Sequence, residues 1–172
     1  MKRVISRGAA AALLLLPAAL IGAVAPRAQA PSPGPTPAIL ADGCTGPMSA
    51  TRLNVTVSNV RSSRGLIAVS LYADDRRRFL AKRGSLYVGR VPAQAGVTRM
   101  CIHLPSTGVY GLAVYHDEDG NRSFKRSGIG LPAEGYAFSN NAPTLFGLPS
   151  FGQVRLSVPR SGFETGVKLK YP

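Results

Sequence analysis

The feature that most constrains this fold is a period-two alternation of apolar side chains, which recurs in short runs from Leu53 to the end of the chain. In "RLNVTVSNV" Leu53, Val55 and Val57 share a face, and in "GLIAVSLY" Ile67, Val69 and Leu71 share one, with Ala68 and Ser70 opposite. Alternation of this kind lays one side of an extended chain on a core and leaves the other toward water, so it describes half-buried strands. "SLYVGRV" repeats the pattern weakly. "GVTRMCIHL" sets Met100, Ile102 and Leu104 against Arg99, Cys101 and His103, which turns Cys101 and His103 toward the outer face. "GVYGLAVYH" groups Tyr110, Leu112, Val114 and His116; "QVRLSV" groups Val154, Leu156 and Val158; "GVKLKY" groups Val167 and Leu169. About seven short strands separated by turns such as "RSSRG" predict an all-β antiparallel β-sandwich, immunoglobulin-like or transthyretin-like in architecture, with one long loop between late strands. "DDRRRFLAK" is the one stretch expected to form a helical turn.

The region before the first strand reads differently. Lys2, Arg3 and Arg7 precede the apolar run "GAAAALLLLPAALIGAVA", and small-residue triplets follow at Ala23 to Ala25 and Ala28 to Ala30. That is the layout of a secretory signal peptide over residues 1–30, with a retained membrane anchor as the alternative. The run is broken by Pro17 and is short for a bilayer span, so no integral membrane protein is expected after processing. "PSPGPTPA" favours an extended spacer, and residues 31–50 are read as a proline-rich linker and amino-terminal segment. A single sandwich domain is expected over 51–172. Export, to the periplasm or beyond, would put Cys44 and Cys101 in an oxidising compartment and predicts a disulfide between them. Such a bond closes a loop of roughly 57 residues, worth about 4 kcal/mol on the chain-entropy argument. Parity suggests that it straps the amino-terminal segment across the outer face of the "GVTRMCIHL" strand.

Charge narrows the partners. The chain has 21 basic and 8 acidic residues. Lys2, Arg3, Arg7 and Arg27 lie in the leader, which leaves 17 basic residues against 8 acidic ones. A surface so basic attracts anionic envelope components, whether glycan, protein or membrane face. The densest cluster, Arg76, Arg77, Arg78, Lys82 and Arg83, has only Phe79 among it and lacks the interleaved aromatics of a single-strand binder. No nucleic-acid partner is expected.

The long loop is where chemistry would lie. About 35 residues without clear periodicity follow Tyr115, an unusual length unless the segment functions or packs on itself. "HDEDGN" offers oxygens at alternate positions, Asp117, Asp119 and Asn121, as calcium loops do. Lys125 and Gly128 stand where further ligands would be needed, so no metal and no cofactor is expected, and a turn built on side-chain to backbone bonds is the competing reading. A hydrolase would have to use His116 and Glu134 with a nearby serine such as Ser139. No nucleophile elbow accompanies them, and neighbouring His116 and Asp117 point to opposite faces of a strand. No catalytic residue is assigned, and the residues favour a non-enzyme.

"GLAVYHDEDGNRSFKRSGIGLPAEGYAFSNNAP" together with "PSFGQVRLSV" resembles the bacterial exported family catalogued as domain of unknown function 2141. The match runs through His116, Asp117, Asn121, Gly130, Pro132, Glu134, Gly135, Tyr136 and Phe138, then Ser139, Asn140, Asn141, Pro149, Ser150 and Phe151. The resemblance implies a small exported β-sandwich without an assigned activity. Asp119 departs from the asparagine usual in that family, and Lys125 from its common aspartate, which removes a ligand from any metal site the family has.

Two classes of function follow. The first is an exported non-catalytic module that binds through the loop, with His116, Asp117, Asp119, Asn121, Glu134 and Tyr136 as its frame and Ser139, Asn140 and Asn141 as an exposed tip. The second is a small envelope hydrolase built on His116 and Glu134, or a module stabilised by calcium through Asp117, Asp119 and Asn121.

Overall fold

The computed structural model describes residues 43–144 and 147–172, so the segment read as a signal peptide and most of that read as a linker lie outside the described residues. Nine strands form two packed sheets among those residues. They are β1 (Cys44–Thr45), β2 (Thr51–Val60), β3 (Leu66–Ala73), β4 (Tyr87–Pro92), β5 (Gly96–Leu104), β6 (Gly108–Asp117), β7 (Gly135–Phe138), β8 (Leu156–Val158) and β9 (Phe163–Lys168). The first sheet has the order β1-β5-β2-β9 and the second β4-β3-β6-β7, with β8 also on β6. The chain is an all-β sandwich. Its central pairs are antiparallel, but both edges of the first sheet, β1 on β5 and β9 on β2, run parallel.

The alternating residues form the core. Leu53, Val55, Val57, Ile67, Val69 and Leu71 are buried, as are Met100, Ile102, Leu104, Leu112, Val114, Leu156 and Val167. The parity expected for these strands is therefore the parity of the fold.

Four local expectations are corrected. Cys44 pairs directly with Cys101 in register, and their disulfide joins neighbouring strands instead of strapping the outer face. Among the described residues the sheet thus begins at Cys44, within residues 31–50, read as linker and amino-terminal segment. His103 is on the expected face but is buried, because the chain after β1 folds over it and the Ser49 amide donates to its Nδ1 at 3.3 Å. "DDRRRFLAK" forms successive turns, not a helix; Leu80 and Arg83 take left-handed φ of 56° and 57°, which no α-helix accommodates. Gln153 and Val154 fall in a short helix, α1 (Phe151–Val154), so only Leu156–Val158 of "QVRLSV" is strand. The Ser150 amide donates to the Gln153 side chain at 2.8 Å, which fixes the start of that helix.

The strand β6 is shared along one edge by β8, against Gly108 to Tyr110, and by β7, against Ala113 to His116. Between them the Leu112 amide would have no ladder partner. The Ser139 hydroxyl accepts from it at 3.0 Å and donates onward to the Val154 carbonyl. Asn140, at φ 59°, donates to the Gln153 and Arg155 carbonyls, and the Asn141 side chain accepts from the Lys168 amide at 2.7 Å. The "SNN" segment is the joint that passes the edge of β6 from one partner to the next.

Ser139→Ala would leave a buried amide and a buried carbonyl without this bridge, a loss expected at about 1–3 kcal/mol. Leu112→Ala, which opens a cavity, should cost about 2–5 kcal/mol. Replacing exposed Arg77 by alanine should change little. Urea unfolding of the three variants checks the ranking.

Candidate functional site

His116 ends the apolar parity of β6 and is completely buried. Its Nε2 lies 2.8 Å from the Arg64 carbonyl, so that nitrogen carries the proton and donates. Its Nδ1 lies 2.8 Å from the Tyr171 hydroxyl, and that hydroxyl accepts the Arg61 amide at 3.1 Å. The Tyr171 hydroxyl therefore turns its own proton to Nδ1. Gly135 faces His116 across the β6–β7 pair, and a Cβ there would lie 2.2 Å from the Tyr171 ring. The glycine of "EGY" is the space into which Tyr171 packs.

One residue further, Asp117 points to the opposite face and is also buried. Its carboxylate accepts the Asn121 and Arg122 amides at 3.1 and 2.7 Å. Asn121 in turn accepts the Ser123 amide at 2.7 Å and donates to Asp119 at 3.0 Å. Glu134 is buried and accepts the Lys125 amide at 3.1 Å. The carboxylates of Asp117, Asp119 and Glu134 come within 4.8 Å of one another. The Lys125 ammonium forms an ion pair with Asp119 at this cluster. That contact holds the Asp119 carboxyl below its ordinary range and the Lys125 ammonium above its own, while burial raises Glu134. The oxygens that a calcium ion would need are thus largely engaged by amides, and a cation from the chain sits beside them.

His116 and Glu134 are not brought together. The imidazole faces inward with Leu112 and Val114, whereas Glu134 shares the outer side with Asp117, and both imidazole nitrogens are engaged. Of the expected tip, Asn140 and Asn141 are exposed but Ser139 is fully buried, and all three side chains hold backbone groups.

The structure adds a site that strand parity alone did not suggest. The outer face of the second sheet is covered by a second small core of Phe138, Ala142, Phe151 and Val154, with Phe79 and Leu80 from the 75–83 turns. Phe79 packs edge-on against Tyr72 and Phe138, at ring separations of 5.2 and 6.1 Å. Beside it, Tyr115, Tyr136 and Phe138 floor an open pocket of about 130 Å³, walled by Phe124, Arg126 and Leu148. Tyr115 and Phe124 meet edge-on at 5.5 Å, and the Arg126 guanidinium stands 5.5 Å over the Phe124 ring. The sequence signals available were Tyr115 and Tyr136, directly opposed in the register of β6 and β7. Of the pocket residues only Tyr136 stands among the site residues expected from the sequence, because the loop residues Phe124 and Arg126 carry no periodicity.

A family model described as "Uncharacterized protein conserved in bacteria (DUF2141)" matches residues 55–165, more than half of the chain. The chain belongs to this family. The part shared with DUF2141 spans β2 to β8 and includes the acidic corner and the pocket, but neither Cys44 nor Tyr171. No curated protein and no solved structure matches the chain. Among the described residues no helix is long and apolar enough to cross a membrane.

Glu118 closes the corner toward the β2–β3 turn. It accepts from Arg61 Nε at 3.0 Å and from the Ser62 hydroxyl at 2.9 Å, and the Arg61 contact is the main cause that lowers its pKa from 4.5 to about 2. A carboxyl whose pKa is depressed on folding stabilises the fold above the unfolded value and loses that contribution as pH falls toward the folded one. Glu118→Gln should therefore lower stability by about 1 kcal/mol at neutral pH, allowing for solvent screening of the half-exposed Arg61. The deficit should shrink between pH 4.5 and about 2. Denaturant unfolding across that range checks it.

Proposed function

We propose that this chain is a non-catalytic binding module of the bacterial cell envelope that takes an anionic, partly apolar ligand in the aromatic pocket. The observation that carries the reading is the pocket itself: a concave aromatic floor with one guanidinium at its edge. Ligand sites are concave and mostly apolar, with a few polar groups that fix orientation. Arg126 supplies such a group, and its planar fork suits a carboxylate or phosphate. The opposite wall carries Leu80, from turns where Arg76, Arg77, Arg78, Lys82 and Arg83 are all exposed. A pocket between two basic rims favours negative charge and raises its local concentration. The leader-like amino terminus and the Cys44–Cys101 disulfide support an envelope location.

The hydrolase reading draws no support from the geometry, because His116 has no free nitrogen and faces away from Glu134. The scaffold suits recognition: a rigid sandwich presents a loop whose own hydrogen bonds hold it in place.

The test is a titration with octyl phosphate below its micellar concentration, followed through the Tyr115, Phe124 and Tyr136 ring signals by NMR. Saturable shifts at these rings are expected, weakened at least tenfold by Ala113→Leu, which fills the pocket, and by Arg126→Gln. Octanol and inorganic phosphate alone should bind more weakly than the combined probe. Shifts that are absent, or that survive both substitutions, would contradict the reading.

A further inference from the structure

The segment between Lys125 and Ala133 is a small hairpin. Ala133 N donates to the Lys125 carbonyl at 3.0 Å, Ser127 N to the Leu131 carbonyl at 2.7 Å, and Gly130 N to the Ser127 carbonyl at 2.8 Å, which closes the tip. Such a tip is expected to be polar. Instead Ile129 is 83% exposed and Leu131 is 59% exposed, and Leu148 beside them is 53% exposed. Among the described residues only one other large apolar side chain, Met48, is more than half exposed. Leu131 and Leu148 share a second open cavity with Arg126 and Pro132, continuous with the aromatic pocket through Tyr136. Arg122 and Arg126 flank the hairpin base and are exposed, as is Lys125, whose ammonium is paired with Asp119.

We propose that this hairpin docks the protein on an anionic lipid surface, with Ile129, Leu131 and Leu148 entering the interface while the flanking cations meet headgroup phosphates. The inference rests on the pocket reading in that it names the phase presenting the ligand. Three observations favour lipid over an acidic glycan or a protein. Apolar side chains at a turn tip gain nothing from a hydrated polysaccharide, but gain from the acyl boundary, where interfacial anchors bury their apolar face a few ångströms deep. The Ser127, Gly130 and Ala133 amides are bonded within the hairpin, which reduces the number of polar groups that entering the interface would strand. Arg122 and Arg126 stand at the base of the apolar tip, and the Arg126 guanidinium reaches the Gly130 carbonyl at 3.1 Å, an apolar point with basic residues behind it that matches the layering of a membrane surface, where each basic residue near anionic headgroups adds attraction. A flat protein partner would be expected to meet a broader apolar area than one hairpin tip offers.

The experiment is co-sedimentation of the mature protein with vesicles of phosphatidylglycerol and phosphatidylcholine, and with vesicles of phosphatidylcholine alone, at two salt concentrations. Binding is expected to the anionic vesicles, weaker at high salt, and reduced at least tenfold in the Ile129→Ser, Leu131→Ser double variant. That variant should melt as the native protein does and still bind octyl phosphate, because its changes lie outside the pocket floor. A Met48→Ser variant, which removes an exposed apolar side chain elsewhere, should bind vesicles normally. No binding to anionic vesicles, or full binding by the double variant, would overturn the inference even if octyl phosphate still shifts the pocket rings. Binding to soluble alginate that the double substitution leaves unchanged, with the vesicles ignored, would overturn it in favour of an acidic glycan.

Discussion

The buried imidazole of His116 is the contact on which the rest of the structure depends. It joins three remote parts of the chain: the end of β6, the β2–β3 turn through the Arg64 carbonyl, and the carboxyl-terminal segment through Tyr171. A buried polar ring is tolerable only when each nitrogen has a partner, and a fully satisfied network then specifies one arrangement. The network fixes where β6 ends, and so where the long excursion leaves the sheet. Gly65 makes the same point from the other side: a Cβ there would lie 1.9 Å from the Asp117 carbonyl oxygen, so at this position the β2–β3 turn and the start of the excursion meet backbone to backbone.

From that fixed departure point the excursion builds one wall of a pocket and returns as β7 beside the strand it left. The rejoining has a geometric cost, because β6 must serve β7 and β8 along one edge, and the Ser139 hydroxyl closes the break between them. The cover over the outer face follows. Once β7, the "SNN" joint and α1 are placed, Phe138, Phe151 and Val154 lie against the small residues Gly111 and Ala113, with a Cβ on Gly111 only 2.9 Å from Phe151. Where that cover stops short of the hairpin, the aromatic pocket remains.

The sandwich was legible from the sequence because its signal is local. A residue two places along a strand reports the same face, so Val69, Leu112 and Val167 declared their burial without knowledge of any partner. The acidic corner was legible for a similar reason, since Asp117 and Asn121 bond to amides within a few residues. What was not legible depends on contacts far apart in the chain. Cys44 and Cys101 are expected to bond because export would leave two cysteines in an oxidising compartment, but nothing local marks Cys44 as a strand pairing parallel to β5. His103 looks like a surface residue until the 47–49 segment covers it, and Ser139 looks like an exposed tip until the split edge of β6 requires its hydroxyl. Phe124 and Arg126 gain meaning only when the hairpin folds onto Tyr115 and Tyr136, some ten residues away on either side.

The chain holds this excursion with its own groups: the carboxylates of Asp117 and Glu134 accept backbone amides, and Lys125 supplies positive charge beside three close carboxylates. The most direct measurement is amide hydrogen exchange at Asn121, Arg122 and Lys125, in chelator and in millimolar calcium. Slowed exchange is expected at all three amides in chelator, unchanged by calcium, because each donates to a carboxylate already in place. Exchange near the unfolded rate in chelator, with protection appearing only when calcium is added, would contradict it and make the corner a metal loop.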